Sequence, residues 1–392
     1  MTDRTPGSKD GEDRPGGLWE LARLFTKLGF VAFGGPAAHV AMMRDEVVVR
    51  REWMGEQEFL DAVGVTNLIP GPNSTELAIY VGRERAGWRG LMVAGACFIL
   101  PAALLVLVLA VAYVRYGSTP AGERLLYGIA PVVIAVVAQA LWGFSKTAVK
   151  GPLLAFVGIA ALALYLLVGV PEIPLLVGGA LVVLLAQGIR RRWGTESGAA
   201  AFAPFGMPLA MQLGLPAISG VGSVFLTFLK IGSVLFGSGY VLLAFLQSEF
   251  VDSGRLSEQQ IIDAVAIGQF TPGPVFTTAT FVGYLLEGVP GALLATLGIF
   301  LPAFVFVAVV GPFVSRLRDS PVVASLLDGV NVASLALMAA VTLQLGRAAI
   351  VDPLTALLAV VALVLLFRFE VNSAWLVLGG GAIGLAYQSL FG

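Results

Sequence analysis

Apolar runs, cut by glycine, proline or small clusters of charge, make up most of the chain. Residues 90–114, 125–145, 151–170 and 173–189 contain no charged side chain, and Arg190, Arg191 and Arg192 close the series. The first three runs reach 20 residues or more, the length at which a helix spans the hydrocarbon core of a bilayer. Ahead of them the chain turns apolar at Leu18. It is interrupted at Phe33-Gly34-Gly35-Pro36 and again at Pro70-Gly71-Pro72. Proline lacks an N–H and pushes the preceding residue out of the helical region, so neither stretch continues a helix. Residues 56–69 and 73–82 flank the Pro-Gly-Pro, and each makes about half a membrane of helix at ~1.5 Å per residue. At membrane depth such breaks are tolerated only inside protein or against a water-filled cavity.

The pattern then repeats. Lys27, Gly29, Phe33-Gly34 and Glu46 fall opposite Lys230, Gly232, Phe236-Gly237 and Glu249. After a one-residue slip, Glu56-Gln57 and Asp61 match Glu258-Gln259 and Asp263, and Pro70-Gly71-Pro72 matches Pro272-Gly273-Pro274. After a second slip, Gly82, Gly87, Gly90 and Pro101 match Gly283, Gly288, Gly291 and Pro302, and Lys146 and Pro152 match Arg347 and Pro353. A repeat this long predicts two homologous halves. The expected fold is an all-α polytopic membrane protein with broken and re-entrant helices. Each half is expected to supply one broken crossing, one re-entrant pair and four further crossings, about ten crossings in all.

Loop charge orients the halves. Arg44, Arg50, Arg51, Arg83, Arg85 and Arg89 cluster around residues 44–51 and 83–89, whereas the matching loops of the second half carry Glu249, Asp252, Glu287 and one cation, Arg255. By the positive-inside rule the first set is cytoplasmic and the second external. Arg115, Arg124 and Arg347 are exceptions. An odd number of crossings per half inverts the second copy, the inverted-repeat logic of secondary transporters. Between Ser197 and Ser248 the only charge is Lys230, and that length could hold two crossings. Pro204, Pro208 and Pro216 favour a loop there. The expected division is a disordered tail over 1–17, a first repeat over 18–192, a linker over 193–216 and a second repeat over 217–392.

Composition narrows the function. Of 392 residues 57% are hydrophobic and 12% charged, with a mean hydropathy of +0.89, far from the ~25% charge of soluble domains. A net charge of −1 gives no electrostatic case for nucleic acid. The single cysteine, Cys97, and the single histidine, His39, rule out an internal disulfide and leave no ordinary His/Cys metal site.

The breaks carry the candidate chemistry. After each one a helix starts, near Ala37, Asn73, Tyr240 and Val275, and a helix N-terminus offers free N–H groups and a positive dipole end to an anion. Gly34, Gly35, Gly237 and Ser238 line the first break of each half. Asn73, Ser74 and Thr75, with Thr277, Thr278 and Thr280, can donate to oxyanion oxygens. The bland alternative is that glycine and proline only allow close packing. Lys27 and Lys230 are matched intramembrane cations that could add positive field, the alternative being snorkelling to the headgroups. Glu76, opposite the neutral Thr278, is a candidate proton site, or else an ion-pair partner of Lys27 or a loop arginine. Asp61 and Asp263 are further proton-coupling candidates, and pairing with neighbouring arginines is the alternative for them and for Glu46 and Glu249. His39 has no counterpart, and a polar contact suits it better than catalysis.

Phe33-Gly34-Gly35-Pro36, Asn67-Leu-Ile-Pro-Gly-Pro72 followed by Thr75-Glu-Leu-Ala78, and Gln269-Phe-Thr-Pro-Gly-Pro274 before Phe276-Thr-Thr-Ala279 resemble the chromate ion transporter family in its long, two-domain form. The resemblance covers about residues 20–390. It implies export of chromate across the cell membrane, conferring resistance, driven by the proton-motive force, with sulfate as a look-alike substrate. The family pattern has Gln where this chain has Glu76, which sets a negative charge near the anion site. Competing functions are an uptake or sulfate permease of the same fold, a membrane enzyme and a passive channel. An enzyme nucleophile would need an activating base in reach. Broken helices also occur in channels, but a pseudo-symmetric inverted repeat is what alternating access uses. No cofactor is expected. The expected partners are chromate or sulfate, the bilayer, coupling protons and, as an oligomer, a homodimer.

Overall fold

The computed structural model describes residues 17–32, 35–193, 220–236, 239–310 and 320–391. Fourteen α-helices are found among them, seven in each half. The first half has α1 (Gly17–Val31), α2 (Gly35–Arg44, continued as a π-helix over Asp45–Arg50), α3 (Glu56–Thr66), α4 (Asn73–Tyr116), α5 (Pro120–Ala148), α6 (Pro152–Ala163) and α7 (Glu172–Trp193). The second has α8 (Val221–Val234), α9 (Leu242–Leu246, running into the π-helix Gln247–Val251), α10 (Glu258–Phe270), α11 (Thr278–Val310), α12 (Pro321–Ala349), α13 (Pro353–Phe369) and α14 (Ser373–Phe391). The expected tail, the linker and Phe33, Gly34, Gly237 and Ser238 lie wholly or mostly outside the described residues.

Local sequence sets the ends. α5, α6, α12 and α13 each begin with proline, which needs no N–H partner in the first turn and is preset to the helical φ. Ser257 and Gln260 form a reciprocal capping box at α10, and Asp352 and Thr355 do so at α13. These side chains take up donors that a helix start leaves unpaired. Among the described residues four segments are long and apolar enough to cross a membrane: Asn73–Tyr116, Pro120–Ala148, Val275–Val309 and Pro321–Ala349. Their lipid-facing sides are legible as exposed apolar rows at four-residue spacing, Leu100, Leu104 and Val108 on α4 and Leu301, Val305 and Val309 on α11, as an apolar helical stripe requires.

α4 and α11 bend sharply at equivalent places. Ala86 and Gly87 adopt (−147°, 31°) and (56°, −143°), and Glu287 and Gly288 adopt (−143°, 23°) and (63°, −150°). Each chain doubles back there, bringing Gly82 against Gly90 and Gly283 against Gly291. The short arms follow α3 and α10 across the Pro-Gly-Pro breaks, so each half holds a pair of short helices there.

The start of each half departs from expectation. Residues 27 and 46 would lie roughly 28 Å apart along one axis, yet Lys27 Nζ is 2.7 Å from Glu46 Oε1. Lys230 and Glu249 make the same contact. α1 and α2 therefore fold back as a hairpin and do not continue each other as the expected broken crossing. Glu20 reaches Arg85 at 3.7 Å, and Arg51 and Arg85 both lie over the Trp53 ring, so the hairpin's two ends and the α4 bend share one face. The parity supplied by five crossings per half is lost from the described residues.

Equivalent helices of the two halves run antiparallel. On the long arms of α4 and α11, Leu91 shares a cluster with Val307 and Gly95 packs on Phe304, and Tyr113 further along α4 packs on Phe281 of the α11 short arm. Tyr127 bonds Asp352, Gly346 faces Ile134, and Lys150 pairs with Asp328 at 2.7 Å, a descending series along α5 and α12. The later helices are exchanged between halves: α5 packs on α13 and α14, and α12 on α6 and α7. Backbones touch at equivalent points in these exchanged contacts. A Cβ on Gly128 would collide with the Gly380 carbonyl, and one on Gly329 with that of Gly179. Gly128→Val or Gly329→Val should therefore lower stability by about 1–3 kcal/mol or more, read as earlier thermal aggregation of the detergent-solubilised protein. Gly143→Val, on the same helix as Gly128 but with open space around it, should leave the transition in place.

Candidate functional site

All four breaks meet. The N–H of Gly71 donates to the carbonyl of Leu235 at 2.8 Å, and the N–H of Gly273 donates to that of Ala32 at 2.9 Å. Ala32 and Leu235 are the residues just past α1 and α8, where a helix end leaves carbonyls without intrahelical donors. Each Pro-Gly-Pro thus satisfies the break of the opposite half, and the same bond occurs twice. Gly71 and Gly273 hold φ of +140° and +91°, a region that side chains disfavour. A Cβ on Gly273 would also lie 2.6 Å from that of Ala102.

His39 ties the two breaks of the first half together. It is buried, with Nδ1 3.2 Å from Ser74 Oγ and Nε2 3.0 Å from the Ala32 carbonyl, and its ring stands edge-on to Phe98. This is the polar contact expected of it, and it shows that the histidine belongs to the break cluster. Its equivalent in the second half is the apolar Leu242.

The predicted donors divide. Asn73 Nδ2 donates to Asn67 Oδ1 at 2.6 Å on the exposed side. Ser74 is engaged by His39. Thr75 is fully buried, and its hydroxyl has no protein partner. Thr277 and Thr278 both donate their hydroxyl protons at 2.8 Å, to the carbonyls of Pro274 and Val275, and Thr280 pairs with Thr296. The second-half hydroxyls therefore close their own turn, while the first N–H groups of α4 keep the orientation of a helix N-terminus. Gly35 opens α2, and Pro36 occupies its second position.

Glu76 has 0% exposure, and neither carboxyl oxygen has a hydrogen-bond partner among the described residues. It folds back against Gly71, where a Cβ would strike Oε1. The expected ion pair with Lys27 or a loop arginine is absent. Lys27 is held by Glu46, which Arg50 and Arg51 also flank at 3.7 and 3.3 Å. Lys27 and Lys230 thus staple the hairpins with a matching carboxylate. The equal spacing of Lys27–Glu46 and Lys230–Glu249 was the sequence signal for these pairs. At the surface, Arg44 bridges Glu56 through two hydrogen bonds of 2.7 Å, and this guanidinium holds the Glu56 carboxyl below its ordinary range.

Asp61 and Asp263 take the same partner one turn earlier, Gln57 at 3.1 Å and Gln259 at 2.9 Å. Asp263 is fully buried and also accepts from Tyr113 Oη at 2.8 Å, where an arginine was the alternative. Sequence reasoning missed Tyr113, because its role depends on a contact between halves.

Substitutions at three sites test these contacts. Gly273→Ala should abolish function at normal membrane expression, since strain and the Ala102 contact act together; flux and expression measured side by side check it. His39→Leu should cost about 1–3 kcal/mol by leaving Ser74 and the Ala32 carbonyl short of a partner, read as a lower thermal midpoint. Lys230→Glu should destabilise the protein and Lys230→Glu with Glu249→Lys should restore it, measured by the same midpoint.

A family model described as "Chromate transporter" matches residues 19–184 and 222–385. The chain is 32% identical over 379 residues to a chromate transport protein of Cupriavidus metallidurans, covering 95% of this chain and 94% of that one. It is 31% identical to a probable chromate transport protein of Synechococcus elongatus over 88% of this chain and 89% of that one. It is 30% identical to a chromate transport protein of Pseudomonas aeruginosa, covering 84% and 81%. No solved structure gives a significant match. With both halves matched by the family model and relatives aligned nearly end to end, the chain belongs to the chromate transporter family.

Proposed function

We propose that this protein is a secondary transporter that exports chromate across the plasma membrane and so confers resistance to it. Two repeats, over 18–192 and 217–392, act as inverted halves around the joined breaks. The observation that carries the reading is the reciprocal pair of bonds from Gly71 to Leu235 and from Gly273 to Ala32. It brings broken helices of both halves to one place inside the protein, where such transporters bind their substrate. The antiparallel run of α4 along α11 and of α5 along α12 supports the inversion. Helix crossings are then residues 88–116, α5, α6 and α7 in the first half and their equivalents in the second, eight among the described residues.

The N–H groups of Asn73 and Ser74 and the hydroxyl of Thr75 receive the oxyanion from one side. The 3₁₀ turn Val275–Thr277 with Thr278 faces it from the other, beside Gly35 at the start of α2, and Gly34, Gly237 and Ser238 remain candidates by sequence alone. Lys27 and Lys230, neutralised by Glu46 and Glu249, add little field, so neutral donors hold the anion. Voltage does much of the work. The negative cytoplasm expels a dianion with roughly 4.6 kcal/mol per 100 mV, about three decades of gradient. Glu76 couples a proton to this movement. Charged, it would repel the dianion strongly in a low dielectric, so carboxylate and anion take turns, and their linkage is reciprocal.

Purified protein in liposomes should carry chromate down a potassium diffusion potential, with sulfate as a competitor. Sulfate carried in preference to chromate would assign it as a sulfate permease, and flux indifferent to both anions would end the reading. Glu76→Gln should flatten the pH dependence of flux while a voltage response persists. An unchanged pH profile would make Glu76 a structural residue. Single cysteines placed in 83–89 and 284–290 of a Cys97→Ser protein should label from opposite faces, and labelling from one face would contradict the inversion.

A further inference from the structure

A cavity of about 560 Å³ opens at the end of the bundle where α4 and α12 finish and α5 and α10 begin. By loop charge this is the external end. Glu123, Tyr127, Gln259, Tyr113 and Asp263 line it, and no lysine or arginine is among its described lining residues. A dianion leaving through these walls would meet two carboxylates and no cation, the reverse of the field that draws an anion. Asp263 is fully buried yet lines the cavity, and it stands nine residues before Pro272, roughly 14 Å up α10 from the breaks.

We propose that this cavity is the proton entry of the transporter, separate from the anion route, and that Asp263 receives the proton. Naming the proton as coupling ion rests on the reading of the protein as a coupled exporter; the cation preference of the cavity does not. The proton passes from cavity water to Oδ2 of Asp263, the oxygen that accepts from Tyr113. Tyr113 keeps its own proton, and its acceptor becomes a neutral carboxyl, which accepts more weakly than a carboxylate. Since Tyr113 is on α4 and Asp263 on α10, protonation weakens a bond between the two halves. That is the kind of contact whose weakening lets one half move against the other. Among titratable groups on elements packed around α10, Glu123 and Tyr127 of α5 share the cavity with Asp263. Arg115 on α4, Arg124 on α5, Tyr284 and Glu287 on α11, Arg347 on α12 and Tyr387 on α14 do not line it.

Ala348 also lines the cavity and is half-buried. In a Cys97→Ser background, Ala348→Cys should react at least about tenfold faster with a trimethylammonium thiosulfonate than with a sulfonate thiosulfonate, each rate taken relative to a free thiol. The preference should collapse when Glu123→Gln and Asp263→Asn are added. Equal rates, or preference for the anionic reagent, overturn the proposal. In liposomes, the ratio of chromate flux with and without an imposed pH gradient should fall to unity for Asp263→Asn. Tyr113→Phe, which keeps the ring against Phe281, should shift the pH midpoint of flux, and it carries the test if Asp263→Asn fails to fold. A parent protein that moves chromate, with variants whose pH response matches it, refutes the proton assignment. A parent that moves no chromate refutes the transport reading instead, and the labelling ratio still decides the cavity.

Discussion

A backbone that stops being helical inside a membrane leaves N–H and C=O groups with no water to receive them. This chain does so four times, and its solution is reciprocal. The glycine N–H of each Pro-Gly-Pro meets the carbonyl left over at the end of the other half's first helix. Neither half can satisfy its own breaks in this way, so the halves must close on each other. The exchanged packing of α5 with α13 and α14, and of α12 with α6 and α7, extends the same dependence outward. What could have been two small domains behaves as a single interlocked body, and the polar cluster around the breaks lies at the joint.

The electrostatics of that cluster are spare. The intramembrane lysines, the strongest positive charges near the breaks in sequence, spend themselves on matching glutamates. What remains around the first Pro-Gly-Pro is a helix start, a buried histidine, a threonine hydroxyl and one unpartnered carboxyl at Glu76. The second copy has threonines that satisfy their own turn and no carboxyl at the equivalent place, Thr278. Symmetry builds the scaffold, and the departures from it, His39, Glu76 and the Tyr113–Asp263 bond, carry the polar chemistry.

Much of this was legible in the residues, because breaks and repeats are written in glycine and proline. The Pro-Gly-Pro copies, the short arms and the proline-started helices α5, α6, α12 and α13 follow from local rules. The α1–α2 hairpin was not legible. Both a bent crossing and a hairpin satisfy the same apolar pattern, and only the contact between Lys27 and Glu46 separates them; its echo at Lys230 and Glu249 carried that information as a spacing. The role of Asp263 was beyond local reading as well, since Tyr113 approaches it from 150 positions away. Glu76 was recognised as unusual, but its isolation depends on where Lys27 points, and that depends on the hairpin.

The account depends most on equivalent helices running in opposite directions. Spin-label distances across α5 and α12 measure this directly. Residues 123 and 351 line one cavity, whereas 328 and 351 lie near opposite ends of α12, separated by roughly 35 Å of helix. Labels at Glu123 and Val351 should give a short distance, and labels at Glu123 and Asp328 a long one, greater by an amount close to the length of α12. A short distance from 123 to 328 with a long one from 123 to 351 would mean that the halves run parallel, and the reciprocal closure of the breaks across an inverted pair could not hold.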